Sequence, residues 1–217
     1  MADTGRGFGR RIAIDERDKK FRMSVVLDHL GKVALPTGKI YPTEPVLLQR
    51  GQTCIANAGR SLLTWLQNGD TSGLTREQLH SKAKQLDEFG PDVPETSTRA
   101  VLKVLQDEQK IANYYWAETI DDVRLWLLVN KSPLLAGTSW YQGMMEPDRY
   151  GFIAPTGKLA TEFGHGYVVN GWDDFYAAVR MQNSWGLDWG QRGLAYIKAK
   201  DFERLLSEQG EAAGVVR

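Results

Sequence analysis

The spacing of apolar positions divides the chain into two unlike halves. From Cys54 onward, Ile55, Ala58, Leu62 and Leu66 recur at helical spacing with Leu63 and Trp65 beside them, and Asn68-Gly69-Asp70 supplies a stop. Thr75 with Gln78 three residues on forms a capping-box pattern that opens a second helix through about Leu86. A third helix is predicted over about 97–109, with Ala100, Val101, Val104 and Leu105 on one face. A fourth, over about 119–129, ends before Ser132-Pro133. After Pro133 the period shortens. LLAGTSW, HGYVVNGW, AAVRMQNSW and LAYIKA are short, rich in Val, Tyr, Trp and Ile, and bounded by Gly or Asp-Asp, which predicts strands. Between Tyr141 and Glu162 glycines and prolines predict a long loop, and a final helix is expected over about 200–208. Upstream, residues 1–20 are rich in Gly, Arg, Asp and Lys and read as a surface arm, while the prolines of 35–48 favour extended chain. No repeat or low-complexity tract interrupts this order. Helices followed by strands make an α+β fold, and two such lobes meeting face to face leave a cleft.

Composition narrows the function classes. The chain has 217 residues, enough for one large domain or two lobes sharing an interface. Its 27 basic and 27 acidic residues cancel, so no bulk field argues for nucleic acid or an anionic membrane as partner. No stretch approaches the ~18 continuous apolar residues of a membrane span. The N-terminal MADTGRGFGRRIAIDERDKKF lacks the apolar centre of a secretory signal. A single cysteine excludes an intramolecular disulfide and suits a reducing compartment. The expectation is a cytoplasmic monomer, with delivery by a phage or a specialised secretion system left open. One Cys and three scattered His give no zinc site, and no phosphate-binding glycine loop is present, so no metal or cofactor is expected.

The lone thiol carries the chemistry worth weighing. A cysteine attacks as thiolate, and its unperturbed pKa lies near 8.5; a helix N-terminus or a nearby imidazolium lowers it. With Thr53 as N-cap, Cys54 stands in the first turn, where unpaired N–H groups favour negative charge. Inert packing is the competing reading for such a residue. A base must come from His29, His80 or His165. His29 sits beside an acid in VVLDHLG, and His80 on an exposed helix face in REQLHSK; both read as surface residues. His165, in EFGHGYVVNGWDD, has a glycine on each side at the entry to an apolar strand, which lets other groups approach closely. Eighteen residues later, in QNSWGLDWGQRG, the Asn183 amide can accept a hydrogen bond from one imidazole nitrogen and turn the other toward the thiol. An indole such as Trp185 over that bond excludes water and strengthens it.

Cys, then His more than a hundred residues later, then Asn-Ser-Trp-Gly with a second Trp-Gly, resembles the papain-like cysteine peptidases. HGYVVNGW is similar to the family's histidine strand, and NSWGLDWGQRG to its Asn-Ser-Trp-Gly signature. EPVLLQRGQTCIANA resembles the entry to its central helix. GLTREQLHSKAKQLDEFG and ETSTRAVLKVL are similar to helical-lobe segments of bacterial and phage members. The resemblance spans about residues 40–217. It implies one two-lobed catalytic domain over 23–217 behind an N-terminal arm of 1–22. The helical lobe would run over about 50–130, and a β-barrel-like lobe over about 131–217, with the site in the cleft between. It further implies Cys54 as nucleophile, His165 as general base and acid, Asn183 as imidazole orienter and Trp185 as shield.

The family completes its oxyanion site with a glutamine and the backbone N–H of the cysteine. Gln49 follows PVLL as the family's glutamine follows its own Pro-Val, although the spacing to the cysteine is one residue shorter here. Gln52 is the alternative, separated from Cys54 by Thr53 alone. The family's substrate pocket maps near Leu135, Ala136, Trp140 and the loop that ends in Gly164. With Tyr141, Met144 and Met145 adjoining, an apolar residue next to the cleaved one is expected. About fifty residues precede Cys54, which disfavours a long inhibitory propeptide and leaves open that the arm at 1–20 covers the cleft. Three function classes follow: a cysteine endopeptidase acting on proteins or peptides through an acyl-thioester, the same residues acting on a non-standard amide or isopeptide link, or a catalytically inactive binding module.

Overall fold

A computed structural model of the chain describes residues 6–13, 15–28, 36–41 and 46–217. Among the described residues, a five-residue helix, α1 (Met23–Leu27), and five longer α-helices accompany ten strands, eight of them in one large sheet and two in a separate parallel pair. Helix α2 (Cys54–Leu66) is buried along nearly its whole length and forms the axis of the helical lobe. Against it pack α3 (Arg76–Leu86), which opens with the Thr75–Gln78 capping box, and α4 (Thr98–Asp107), capped by the Ser97 hydroxyl on the Ala100 N–H. Gly59 makes the α2–α4 approach possible, since a Cβ there would lie 2.6 Å from Val101 Cγ1. The fourth helix is shorter than its periodicity suggests. α5 (Ile120–Leu125) passes into a π-helical turn over Trp126–Asn130, which ends at Lys131 with a φ of 56°.

The large sheet is ordered β4 (Asn113–Trp116), β10 (Glu211–Val216), β5 (Leu134–Thr138), β7 (His165–Asp173), β8 (Ala178–Gln182), β9 (Leu194–Lys198) and β6 (Phe152–Ile153). An added edge strand, β2 (Gly38–Ile40), pairs with the end of β7. All pairings are antiparallel except β6 with β9. The path is open, so the sheet does not close into the barrel-like lobe expected. α6 (Ala199–Ser207) follows β9 and buries Phe202, Leu205 and Leu206. Strand β10 has no counterpart in the sequence reading, yet it lies inside the sheet, between the edge strand β4 and β5.

Because the sheet is covered on both faces, alternate residues of its strands serve two cores. Leu135, Val168, Ala213 and Val215 join Ile55, Leu62, Leu79 and Val101 under the helices. Leu134, Ala136, Val169 and Ala212 join Trp126, Trp140, Trp172, Trp189 and Phe202 on the other side. Two-sided burial is also why these strands read as continuous apolar runs rather than alternating ones. Where α2 begins it touches β7 at Gly166, and a Cβ at that position would lie 2.8 Å from Ile55 Cα and 2.9 Å from Ile55 N. The first turn of α2 and the first residues of β7 therefore meet backbone to backbone.

Candidate active site

That contact brings the sequence-predicted residues together. Cys54 Sγ accepts a hydrogen bond from the Gly166 N–H at 3.2 Å, one residue beyond His165. His165 Nε2 lies 2.7 Å from Asn183 Oδ1, which also accepts the Ser184 N–H at 2.7 Å. The second bond fixes the amide so that its oxygen faces the ring. Trp185 covers the pair, its ring centroid 4.7 Å from that of His165. Thr53 precedes α2 without capping it: its hydroxyl donates to the Arg50 carbonyl at 2.8 Å, and Asn57 Nδ2 bonds to Thr53 instead.

The oxyanion candidates separate clearly. Gln49 is buried, and its Oε1 accepts from the Ser184 hydroxyl at 2.6 Å, which turns Nε2 into the cleft. Gln52 Oε1 is buried without a partner among the described residues. The expected substrate-pocket residues fare differently from one another. Gly164 lies in the cleft. Ala136 and Trp140 do not: both are fully buried in the β-side core, where Trp140 packs edge-on against His165 at 4.7 Å between centroids. Met144 is buried in the same core, and the Tyr141 hydroxyl bonds to Glu208, so the anticipated apolar pocket is core packing. Of the other histidines, His80 is half-buried rather than exposed, and burial together with the Lys84 ammonium lowers its pKa. His29 lies outside the described residues.

Sequence reasoning missed how closely the arm engages this site. Residues 6–11 pass between the lobes. The Gly7 carbonyl accepts Gln49 Nε2 at 2.8 Å and the Trp185 indole N–H at 3.2 Å. The Phe8 ring packs edge-on against both His165 and Trp185. The Gly9 carbonyl accepts the Thr96 N–H at 3.2 Å. Arg10 exchanges two backbone bonds with Gly164, at 3.2 and 3.0 Å, while β1 (Arg10–Arg11) runs parallel to β3 (Thr96–Ser97). Glycine at 7 and 9 is a steric requirement. A Cβ at Gly7 would lie 1.8 Å from Gly51 O, and one at Gly9 2.0 Å from Gln52 O.

With the arm in place Cys54 and His165 are both held neutral. Burial pushes the Cys54 thiol up to about 12, against the opposing pull of the Gly166, Ile55 and Gly9 N–H groups and the Arg10 charge. Burial likewise lowers His165 to about 4, partly offset by the bond to Asn183. The imidazole Nδ1 is buried with no hydrogen-bond partner among the described residues. The thiol thus rests on amide N–H groups, and the nitrogen suited to take its proton is unoccupied.

The sequence matches no protein-family model and no curated protein. Solved structures resemble the fold closely. Xylellain, a cysteine protease from Xylella fastidiosa, superposes with a TM-score of 0.72 over 97% of this chain and 96% of that one, at 20% identity. Digestive procathepsin L 3 of Tenebrio molitor gives 0.66 over 100% and 77%, and proCathepsin B S9 from Trypanosoma congolense 0.67 over 100% and 88%, each at 13% identity. The chain therefore has the two-lobed fold of papain-like cysteine proteases.

Proposed function

We propose that this protein is a cysteine peptidase, hydrolysing peptide bonds with Cys54 as nucleophile, His165 as base and acid, and Asn183 as the residue that orients the imidazole. The observation that carries the reading is the His165 Nε2–Asn183 Oδ1 bond of 2.7 Å under Trp185, which leaves Nδ1 free beside the strand residue that touches Cys54 Sγ. An imidazole held by one nitrogen, with the other unpartnered, suits general-base work on a neighbouring thiol. In turnover His165 would take the Cys54 proton, the thiolate would add to the substrate carbonyl, and His165 would return the proton to the leaving amine; water, deprotonated by His165, would then cleave the acyl-thioester and return the Cys54 thiol. Gln49 Nε2 and the Cys54 N–H would hold the oxyanion, and Gln49 already binds a peptide carbonyl, that of Gly7.

The arm is the counterpart of this machinery. It occupies the peptide channel: the oxygens of Gly7, Gly9 and Arg10 are bonded to Gln49 and Trp185, to Thr96 and to Gly164. Substrate access requires the arm to leave, and exposure to water would remove the burial that holds both groups neutral. Iodoacetamide labelling of Cys54 between pH 5 and 9 tests this, in the parent, in Phe8→Ala and in Phe8→Ala/His165→Ala, together with casein hydrolysis. The expected result is slow labelling in the parent, and labelling at pH 6 in Phe8→Ala that is lost without the histidine. An ordinary thiol titrating near 8.5 in every variant, with casein left intact, would sink the reading.

A further inference from the structure

The arm also shows what the cleft selects. Arg10 is fully buried, and its guanidinium donates through Nε (3.3 Å) and Nη2 (2.9 Å) to Glu211 Oε2, and through Nη2 to the Gln209 carbonyl at 2.7 Å. Its pocket is opened by two glycines. A Cβ at Gly137 would lie 2.9 Å from Arg10 Nε, and one at Gly164 2.7 Å from Arg10 Cδ. Arg11 repeats the theme beside it. Its guanidinium stands over the Phe163 ring at 4.8 Å and the Phe89 ring at 5.6 Å, and pairs with the buried Glu95 carboxylate at 3.4 Å. A cavity of about 350 Å³ adjoins both, lined in part by Ser139, Thr161 and Phe163.

We infer that the cleft is specific for peptides with a basic side chain, received by Glu211 at the end of the pocket between Gly137 and Gly164. The inference rests on the peptidase reading and names its substrate class. The Arg10 backbone pairs with Gly164, the residue before His165, so its side chain stands where a substrate side chain near the reacting bond would. When the arm leaves, the Glu211 carboxylate, 15% exposed, loses its guanidinium partner. A substrate arginine restores the lost bonds whereas a leucine cannot. The pocket thus selects charge, contrary to the apolar preference expected from Trp140 and its neighbours.

The test is a quenched-peptide library scanned position by position with the full-length Arg10→Ala chain, in which the pocket is vacated. Arginine should exceed leucine at one position, and Glu211→Gln in the same chain should lower that ratio by about ten-fold or more. Glu95→Gln should lower a basic preference at the adjoining position only. An apolar preference at every position, or an arginine preference indifferent to Glu211→Gln, would overturn the inference while leaving the peptidase reading intact. Loss of all turnover, casein included, would instead sink the peptidase reading, and a measurement without catalysis keeps the two apart. n-Propylguanidinium should raise the melting temperature of Arg10→Ala and leave Arg10→Ala/Glu211→Gln unchanged. Equal shifts in the two would overturn the pocket assignment by themselves.

Discussion

Strands β7 and β10 flank the same central strand, β5, and each delivers one polar residue to the cleft: His165 at the start of β7 and Glu211 at the start of β10. One was legible in the sequence and the other was silent. HGYVVNGW carries a residue type with few bland explanations at a glycine-flanked strand entry. EAAGVV carries an acid of the commonest surface kind, followed by small residues. On the proposed reading the difference is one of role. A group that makes and breaks bonds must be a particular side chain beside particular neighbours, whereas a group that selects a partner need only present the right charge at the right depth.

Substitution at the heads of the two strands should separate these roles, and the largest effect belongs to β7. His165→Ala should reduce kcat/KM on every substrate, basic or apolar, by roughly 10³-fold or more, as expected when the base of a nucleophilic pair is removed. A loss confined to arginine-containing peptides would place His165 with Glu211 and abolish the distinction. Next in size is Gln49→Ala. Removing one oxyanion donor costs about 10²–10³ in kcat, again irrespective of substrate side chain, and single-turnover rates would read it directly. The same substitution removes the bond to Gly7. Cys54 alkylation in Gln49→Ala should therefore quicken even as turnover falls, two opposite changes that mere misfolding would not produce.

The contrast extends to what else could be read from the chain. The limits of α2, the Thr75–Gln78 capping box and the segments of β5, β7, β8 and β9 were legible because local rules decide them: helical spacing, a cap, strand-rich runs bounded by turns. Strand β10 escaped because it is buried on both faces and packed with Ala212, Ala213 and Gly214, so it has neither alternation nor a β-branched run until its last residues. The close fit of the arm, though not its place near the cleft, escaped for a different reason. Gly7 and Gly9 look like linker residues, and only the approach of the 51–52 backbone shows that a side chain there would not fit. Trp140 misled in the opposite direction: an aromatic near the histidine reads as a pocket wall, and two-sided packing made it core.

A pH difference sharpens the comparison further. Folded His165 is lowered to about 4 from an ordinary 6.5, so below pH 6.5 the unfolded chain binds a proton that the folded chain refuses. Stability is therefore unaffected above pH 6.5 and falls as pH drops toward 4, by on the order of 3 kcal/mol at full burial. Urea midpoints for the parent and His165→Gln between pH 7 and 4.5 would isolate the term, which should vanish in the variant. Parallel curves would mean that the imidazole is already wet and that the arm does not seal the site in solution.

The smallest predicted effects come from a matched pair of glycines, one on each strand. A Cβ at Gly166 in β7 would lie 2.8 Å from Ile55 Cα, and one at Gly214 in β10 2.0 Å from Trp126 Cε2. Gly166→Ala and Gly214→Ala are both overpacking changes, each expected to cost about 1–3 kcal/mol in urea unfolding. Their consequences for turnover should part, because the clashes fall on different neighbours. At Gly214 the displaced atoms are an indole in the β-side core, remote in role from the cleft. At Gly166 they are the first-turn backbone of α2, and any shift carries Cys54 away from the strand that holds His165. Turnover per folded molecule should thus fall in Gly166→Ala and stay near the parent value in Gly214→Ala. Equal turnover in the two would show that the α2–β7 contact is packing alone, and that the thiol is positioned by something other than the meeting of those two backbones.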